Sequence, residues 1–190
     1  GLTATAEQSI TVDGTPDIIF EEINDTCIDA APFDLSGGYP EGGTYSGSGI
    51  AISPEFDPSL ADTGTHIITY TYSLGPGCSG SETQTITVNP LPLVTFSSLS
   101  DICINAASIT LTEGSPSGGV YSGPGVTGNT FNPSAAGEGI HTLTYTYIDG
   151  NGCENSVTQT ITVNPSPSPS INGPAEICSP GSGVYNTSET

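Results

Sequence analysis

The side chains of this 190-residue sequence that could do chemistry are five cysteines, two histidines and twenty carboxylates. A catalytic histidine needs a nucleophile and an orienting acid within reach, and no motif around His66 or His141 supplies either group. The two histidines occupy equivalent places in an internal repeat, which is typical of framework residues. We therefore predict no catalytic residue and no enzyme activity in this chain.

The cysteines favour a disulfide framework. The sequence has no Cys-x-x-Cys motif and no cysteine–histidine cluster, so a structural zinc site is not expected. Spaced cysteines in an exported, repeat-built chain instead predict disulfides. We predict Cys27–Cys78 and Cys103–Cys153, each closing a loop worth roughly 4 kcal/mol, with Cys178 paired beyond the chain end. The alternative joins Cys78 to Cys103 and Cys153 to Cys178, but it leaves Cys27 without a partner at the expected spacing.

Oxygen ligands for calcium are the only metal-binding candidates. Asp149 and Asn151 lie at alternate positions before Cys153, and Glu154 follows it, in a segment that resembles a calcium loop. The matching segment at 73–78 has no acid, so a plain turn is the favoured interpretation. Acids near the predicted module junctions are further candidates: Asp13, Asp17, Glu21, Glu22, Asp25 and Asp101. Solvated surface charge is favoured there too, so we expect no cofactor, with Ca²⁺ the one ion to test.

The charge composition excludes several classes of partner. The chain has no lysine or arginine, and its formal net charge is −20. Phosphate clamps and the electrostatic attraction to nucleic acid need these basic side chains, so nucleic-acid binding is excluded. Attraction to anionic lipid is excluded on the same grounds. No apolar run approaches the roughly 18 residues of a membrane helix, so membrane insertion is not expected.

Two copies of one repeat account for most of the chain. Cys-Ile-Asp-Ala-Ala at 27–31 recurs as Cys-Ile-Asn-Ala-Ala at 103–107, and each copy closes with Gln-Thr-Ile-Thr-Val-Asn-Pro, at 84–90 and 159–165. This self-similarity predicts one module at 15–90 and a second at 91–165. Residues 1–14 would be the last strand of a preceding module. Residues 166–190 would be a linker and the start of a further module.

Alternation of apolar and polar residues predicts strands. His66, Ile68, Tyr70 and Tyr72 share one face of an extended run, with threonines mainly on the other, and the run at 27–35 alternates as well. No helical period lasts more than a turn. Short strands with Gly/Pro turns, in about 75 residues, predict an all-β chain of tandem Ig-like β-sandwich modules. Proline-bearing linkers between them predict an elongated rod.

Several strings resemble a known family of repeats. Gly-Gly-Val-Tyr-Ser-Gly-Pro-Gly-Val at 118–126, Thr-Tyr-Thr-Tyr at 144–147 and Gly-Asn-Gly-Cys at 150–153 are similar to PKD-like/Ig-like repeats of Bacteroidota cell-surface adhesins. Gliding-motility adhesins of the SprB type are the best-known members. The resemblance implies type IX secretion, an outer-surface location and a filament that contacts substrata or polysaccharide. The first copy departs from the pattern with Ser-Leu-Gly-Pro-Gly-Cys at 73–78.

Three functional hypotheses follow. The first is a structural and adhesive stalk, whose partners are neighbouring modules of the same chain and, at the surface, polysaccharide or like filaments. The second is an array of carbohydrate-binding modules, for which exposed rings of Tyr39, Tyr45 and Tyr121 would form the binding platform. The third is a passive spacer attached to a secreted enzyme.

Overall fold

The computed structural model describes residues 14–168 and the backbone of 170–172 and 186–188. This part of the chain is all-β, apart from two four-residue helices. It divides into two compact units. Unit 1 extends to Leu91 and also includes Asp149–Cys153, whereas unit 2 comprises Pro92–Ile148 and resumes at Glu154. Residues 1–13 of the predicted terminal strand at 1–14, and the predicted opening of a further module around Cys178, lie outside the described residues.

Unit 1 is built on a long antiparallel hairpin. Its elements, in chain order, are β1 (Ile19–Phe20), β2 (Thr26–Cys27), β3 (Phe33–Asp34), β4 (Gly38–Tyr39), β5 (Thr44–Gly47), β6 (Glu55–Phe56), α1 (Pro58–Ala61), β7 (Gly64–Gly75) and β8 (Cys78–Asn89). The main sheet has the order β2-β8-β7-β5, in which β2 runs parallel to β8. Strands β1 and β4 form a second sheet, and β3 and β6 form a third.

Unit 2 has a main sheet of the same order. Its elements are β9 (Thr95–Phe96), β10 (Ile102–Cys103), β11 (Ile109–Thr110), β12 (Gly114–Ser115), β13 (Val120–Ser122), β14 (Val126–Thr127), β15 (Thr130–Phe131), α2 (Pro133–Ala136), β16 (Gly139–Ile148) and β17 (Glu154–Asn164). The order β10-β17-β16-β13 repeats that of the first unit, and β10 is again parallel to its neighbour. The smaller sheets are β12-β9 and β11-β15-β14. Strands β18 (Ser170–Asn172) and β19 (Asn186–Ser188) pair with each other.

The alternation predicted for the long strands is confirmed. Ile68 and Tyr70 on β7 are buried, whereas Ile67, which lies between His66 and Ile68, is exposed. Leu143 and Tyr145 on β16 are buried at the corresponding positions. Successive side chains of a strand point to opposite faces, so each hairpin presents one apolar face to its core.

One local prediction is wrong. The run at 27–35 is not one strand, because β2 ends at Cys27 in a turn closed by Ala30 N–H donating to the Cys27 carbonyl (3.1 Å). Pro32 then has no N–H to pair, and pairing resumes only at β3. The two helices α1 and α2 each occupy one turn, which agrees with the prediction that no helical period lasts longer than a turn. Each begins with an Asp/Asn N-cap followed by proline, a start signal that does not depend on a helical period.

Each unit has its own apolar core. The long hairpin contributes the central side chains, and the short strands cover them. The fully buried members are Phe56, Ile68, Tyr70, Ile86 and Val88 in unit 1, and Leu111, Phe131, Leu143, Tyr145, Ile161 and Val163 in unit 2. Burial of each such side chain contributes about 1.5–3 kcal/mol. Over the described residues, no buried side-chain polar atom lacks a hydrogen-bond partner.

None of the helices in the described part of the chain has the length and apolar character needed to cross a bilayer.

Candidate functional site

Within the described part of the chain, the structure forms one disulfide, which joins Cys27 to Cys153. The two Cα atoms are 5.6 Å apart, and the cysteines are separated by 126 residues in the sequence. Cys153 is completely buried, although it lies in the tight loop that links β16 to β17. The loop Asp149–Cys153 belongs to unit 1, in which Cys27 ends β2. The two sulfur atoms thus come from different copies of the sequence repeat.

This bond corrects the predicted pairing. Cys27 and Cys153 are bonded to each other, so neither Cys27–Cys78 nor Cys103–Cys153 is formed. The alternative partner of Cys153, Cys178, is excluded for the same reason, and Cys178 itself lies outside the described residues.

The register of the main sheets explains why bonds within one repeat are impossible. Cys27 lies opposite Asn89, the last residue of β8, whereas Cys78 is the first residue of that 12-residue strand. An extended strand of this length separates its ends by about 36 Å. Disulfide-bonded Cα atoms are no more than about 7 Å apart. Cys103 lies opposite Asn164 at the end of β17, and Cys153 precedes the start of that strand, so the same exclusion applies in unit 2.

The loop that carries Cys153 is ordered by one carboxylate. Asp149 Oδ1 accepts hydrogen bonds from the backbone N–H groups of Asn151 (2.9 Å) and Cys153 (3.0 Å). The Asp149 N–H donates to the Cys153 carbonyl (3.0 Å), and the Gly152 N–H donates to the Asp149 carbonyl (3.2 Å). This Asx-type turn fixes the direction in which Cys153 leaves the loop.

The same hydrogen bonds bear on the calcium candidates. The Asp149 carboxylate is engaged with loop amides, while Asn151 and Glu154 are exposed at the surface. The geometry of this loop therefore has the features of a turn. Over the described ranges, no group of three or more acidic, histidine or cysteine side chains is arranged to hold a metal ion.

The acids near the repeat junctions have separate roles. Asp25 Oδ1 accepts a hydrogen bond from the Thr87 N–H (2.8 Å), and Asp101 Oδ1 accepts one from the Thr162 N–H (3.2 Å). Each carboxylate satisfies a strand amide immediately beside the parallel β2–β8 or β10–β17 pair, so it positions the cysteine two residues further on. Three other candidates, Asp17, Glu21 and Glu22, are exposed, and Asp13 lies outside the described residues.

The backbone around Cys27 and Cys103 is equivalent in the two units. The Ile28 N–H donates to the Asn89 carbonyl (3.0 Å), and the Ile104 N–H donates to the Asn164 carbonyl (2.8 Å). Both cysteines are half-buried. Cys103 has no disulfide partner among the residues that the structure describes.

The histidines have equivalent structural contacts, as their repeated position predicts. The Nε2–H of His66 donates to the Asp62 carbonyl (2.9 Å), and that of His141 donates to the Gly137 carbonyl (2.8 Å). Asp62 and Gly137 are the residues that end α1 and α2. Each imidazole therefore fixes the helix end to the start of the following strand.

The buried tyrosines have a structural role that the sequence alternation did not indicate. The hydroxyl of Tyr145 donates to the Pro116 carbonyl and accepts from the Gly119 N–H (2.8 Å). Tyr70 makes the same pair of contacts with Pro40 and Gly43 in unit 1. A Cβ atom on Gly119 would lie only 2.5 Å from the Tyr145 ring, so glycine is required for this approach.

The three tyrosine rings considered as a carbohydrate-binding platform are not all exposed at the surface. Tyr121 is only 6% exposed and packs on Tyr145 with 4.6 Å between ring centroids. Tyr45 is half-buried and packs on Tyr70 at 4.8 Å. Burial raises the pKa of Tyr121 above its usual value, against the opposing hydrogen bond from the Gly114 N–H (2.7 Å). Tyr39 alone is largely exposed, at 61%.

A groove of about 380 Å³ lies on unit 1 between β2 and β3. Its lining includes Glu22, Asp25, Phe33 and Leu35. The Asp25 carboxylate accepts a hydrogen bond from the Thr87 N–H. No histidine, cysteine or basic side chain lines the groove. The ionisable side chains of the groove are the carboxylates of Glu22, Asp25 and Asp34.

Comparison with protein-family models and with curated proteins finds no match for this chain.

Proposed function

We propose that this chain is a non-catalytic structural segment of a long extracellular fibre, the stalk of a bacterial cell-surface adhesin built from tandem Ig-like modules. Its task is to transmit tension and to hold a distal adhesive part away from the cell. The resemblance to the repeats of gliding-motility adhesins and the repeat-built sequence support this function.

The observation that carries the proposal is the Cys27–Cys153 disulfide. It links a strand end in the first copy of the repeat to a hairpin loop in the second. A bond of this kind makes successive repeats covalently continuous by a second route besides the backbone. Such a connection has an evident use in a fibre under load, because it limits how far the chain can extend when a sheet opens.

The disulfide also supports the extracellular location. Disulfides persist in oxidising compartments and are rare in the cytosol. The uniform negative charge is consistent with a surface fibre, because like charges keep neighbouring molecules apart in solution. The absence of lysine and arginine removes every cleavage site of trypsin-like proteases.

The alternative of a carbohydrate-binding array has less support. A sugar-binding platform needs exposed aromatic faces, and the rings of Tyr45 and Tyr121 are packed against Tyr70 and Tyr145. The exposed Tyr39 has Ser115 at its place in the second repeat, so it would not form a repeated site. A spacer within a secreted enzyme differs from an adhesin stalk only in what the rest of the polypeptide does.

The proposal is tested on intact cells of the source organism. Gold-labelled antibodies raised against the 190-residue chain are expected to decorate extended filaments outside the cell in electron micrographs. Proteinase K added to intact cells should remove the label, whereas trypsin should leave the epitope segment uncut because it has no lysine or arginine. Label confined to the cell interior, or to free globular particles, would reject the proposal.

A further inference from the structure

The four described cysteines fall into two structural classes. Cys27 and Cys103 are strand-end cysteines, since each is the last residue of a short strand parallel to the end of the long hairpin. Cys78 and Cys153 are hairpin cysteines, since each lies at the turn between the two long strands. The register argument above places the two classes about 36 Å apart within one repeat. The bond that is formed, Cys27–Cys153, joins a strand-end cysteine to a hairpin cysteine of another copy.

The surroundings of Cys103 repeat those of Cys27 feature by feature. Two residues before each strand-end cysteine is an aspartate, Asp25 or Asp101, whose carboxylate accepts a hydrogen bond from a strand N–H. The backbone N–H of the residue after each cysteine, Ile28 or Ile104, donates to the carbonyl of the asparagine that ends the long strand. The N–H three residues after each cysteine donates to its carbonyl, at 3.1 Å in unit 1 and 3.0 Å in unit 2. The two sites differ in that Cys27 is disulfide-bonded to Cys153 in a hairpin loop, whereas Cys103 has no disulfide partner among the described residues.

We infer that Cys103 is the attachment site for the hairpin loop of a further copy of this repeat, and that the bond is a disulfide to the cysteine of that loop. The incoming segment is defined by the loop that Cys27 holds, Asp-Gly-Asn-Gly-Cys at 149–153. In that loop the aspartate accepts hydrogen bonds from the loop amides. The cysteine would become buried when the loop binds, as Cys153 is. Strand-end to hairpin bonds would then join each repeat to the next along the fibre. The inference deepens the proposed function, because it specifies what couples the repeats.

The bond forms by ordinary thiol–disulfide chemistry. The Cys103 thiol and the thiol of the incoming loop together lose two protons and two electrons. A disulfide oxidant of the exporting compartment accepts both electrons and is reduced to two thiols, so the exchange balances. Specificity comes from the docked loop, because it holds one sulfur beside the other before the reaction.

A peptide probe tests the inference on the full chain. The peptide has the sequence of residues 145–157, with its cysteine activated as a mixed disulfide with thiopyridine. The Cys103 thiolate attacks the peptide sulfur, the new S–S bond forms, and thiopyridone leaves. Release of thiopyridone gives the rate, and peptide mapping of the product without reductant locates the bond. The control peptides have the same composition in scrambled order, or alanine in place of the aspartate that corresponds to Asp149.

The native loop peptide should modify Cys103 at least about tenfold faster than either control peptide, which corresponds to ~1.4 kcal/mol of specific docking. The Cys103→Ser chain should lose this adduct while keeping the Cys27–Cys153 bond. Equal rates for native and scrambled peptides would overturn the inference, because Cys103 would then be an ordinary accessible thiol. A bond from Cys103 to Cys78 or Cys178 in the untreated chain would overturn it as well. Either result leaves the antibody-labelling test of the stalk unaffected, so the two proposals fail separately.

Discussion

At the scale of single residues, the buried tyrosine hydroxyls hold the short strands to the long hairpin. Tyr145 contacts the Pro116 carbonyl and the Gly119 N–H through one oxygen atom. Its ring is 2% exposed, so these backbone groups have little access to water as an alternative partner. The hydroxyl therefore supplies hydrogen bonds that the segment between β12 and β13 does not form with a neighbouring strand.

Tyr145→Phe should lower the free energy of unfolding of unit 2 by about 1–3 kcal/mol, because it leaves a backbone N–H and a carbonyl without their partner. Urea unfolding of the variant measures this change. Tyr147→Phe is the matched control, since Tyr147 is half-buried on the same strand and its hydroxyl has no hydrogen bond to the described residues. Equal effects of the two substitutions would mean that the Tyr145 hydroxyl contributes nothing beyond its ring.

The second residue-scale prediction concerns pH. Burial raises the pKa of Tyr121, so the folded state favours the neutral phenol. The resulting stabilisation is complete below the unfolded pKa of about 10 and is lost as the pH rises through the folded value. Chemical unfolding of the chain at increasing pH should show the loss above about pH 10, and Tyr121→Phe should reduce its slope. A variant with an unchanged slope would assign the alkaline loss to other groups.

The repeated position of the histidines predicted a framework role, and strand alternation placed Tyr70 and Tyr145 on the apolar face, whereas the sequence left the exposure of Tyr45 and Tyr121 open. It could not predict the cysteine pairing, because sequence spacing does not specify which end of a sheet each sulfur occupies. The pairing depends on β2 lying parallel to the end of β8, and the sequence does not show this arrangement of the strands. A count of the extended residues between Cys78 and Asn89 would have indicated that Cys27 is out of reach.

At the scale of elements, the two helices show how a structure too short for a periodic pattern is still specified. A four-residue helix spans about one turn, so no apolar period can reveal it. The local signal is an Asp/Asn-Pro-Ser string, in which the first side chain caps the helix and proline occupies its first turn. The two-residue strands are equally invisible to alternation, whereas the 10- to 12-residue hairpin strands are clear.

Asn132→Ala should destabilise unit 2 by about 1 kcal/mol, because the Asn132 side chain accepts from the N–H groups of Ser134 (3.0 Å) and Ala135 (3.3 Å). Asp57→Ala should have a similar effect in unit 1, where the Asp57 carboxylate accepts from the Ser59 N–H. Thermal melts followed by circular dichroism measure both changes. Asp34→Ala, at an exposed strand position, controls for the loss of one negative charge. A loss of stability as large in Asp34→Ala would contradict the capping role.

At the scale of the whole chain, the Cys27–Cys153 bond determines which residues carry a mechanical load. A force applied at the two chain ends passes through the backbone as far as Cys27, across the disulfide to Cys153, and on through β17. The 126-residue separation between the cysteines is bypassed. The hairpin strands β7, β8 and β16 lie inside the bypassed segment, so unfolding cannot extend them while the bond is intact.

Single-molecule stretching of the chain from its two ends should therefore show a hidden length that reductant releases. The bypassed residues correspond to about 440 Å of fully extended backbone, and this gain should appear as one event after the bond is reduced. The Cys27→Ser variant should reach the full length without reductant. Bonds within each repeat would instead hide two segments of about 180 Å each, released separately. Two such events in the unmodified chain would contradict the strand-end to hairpin connection on which the load path of the proposed stalk depends.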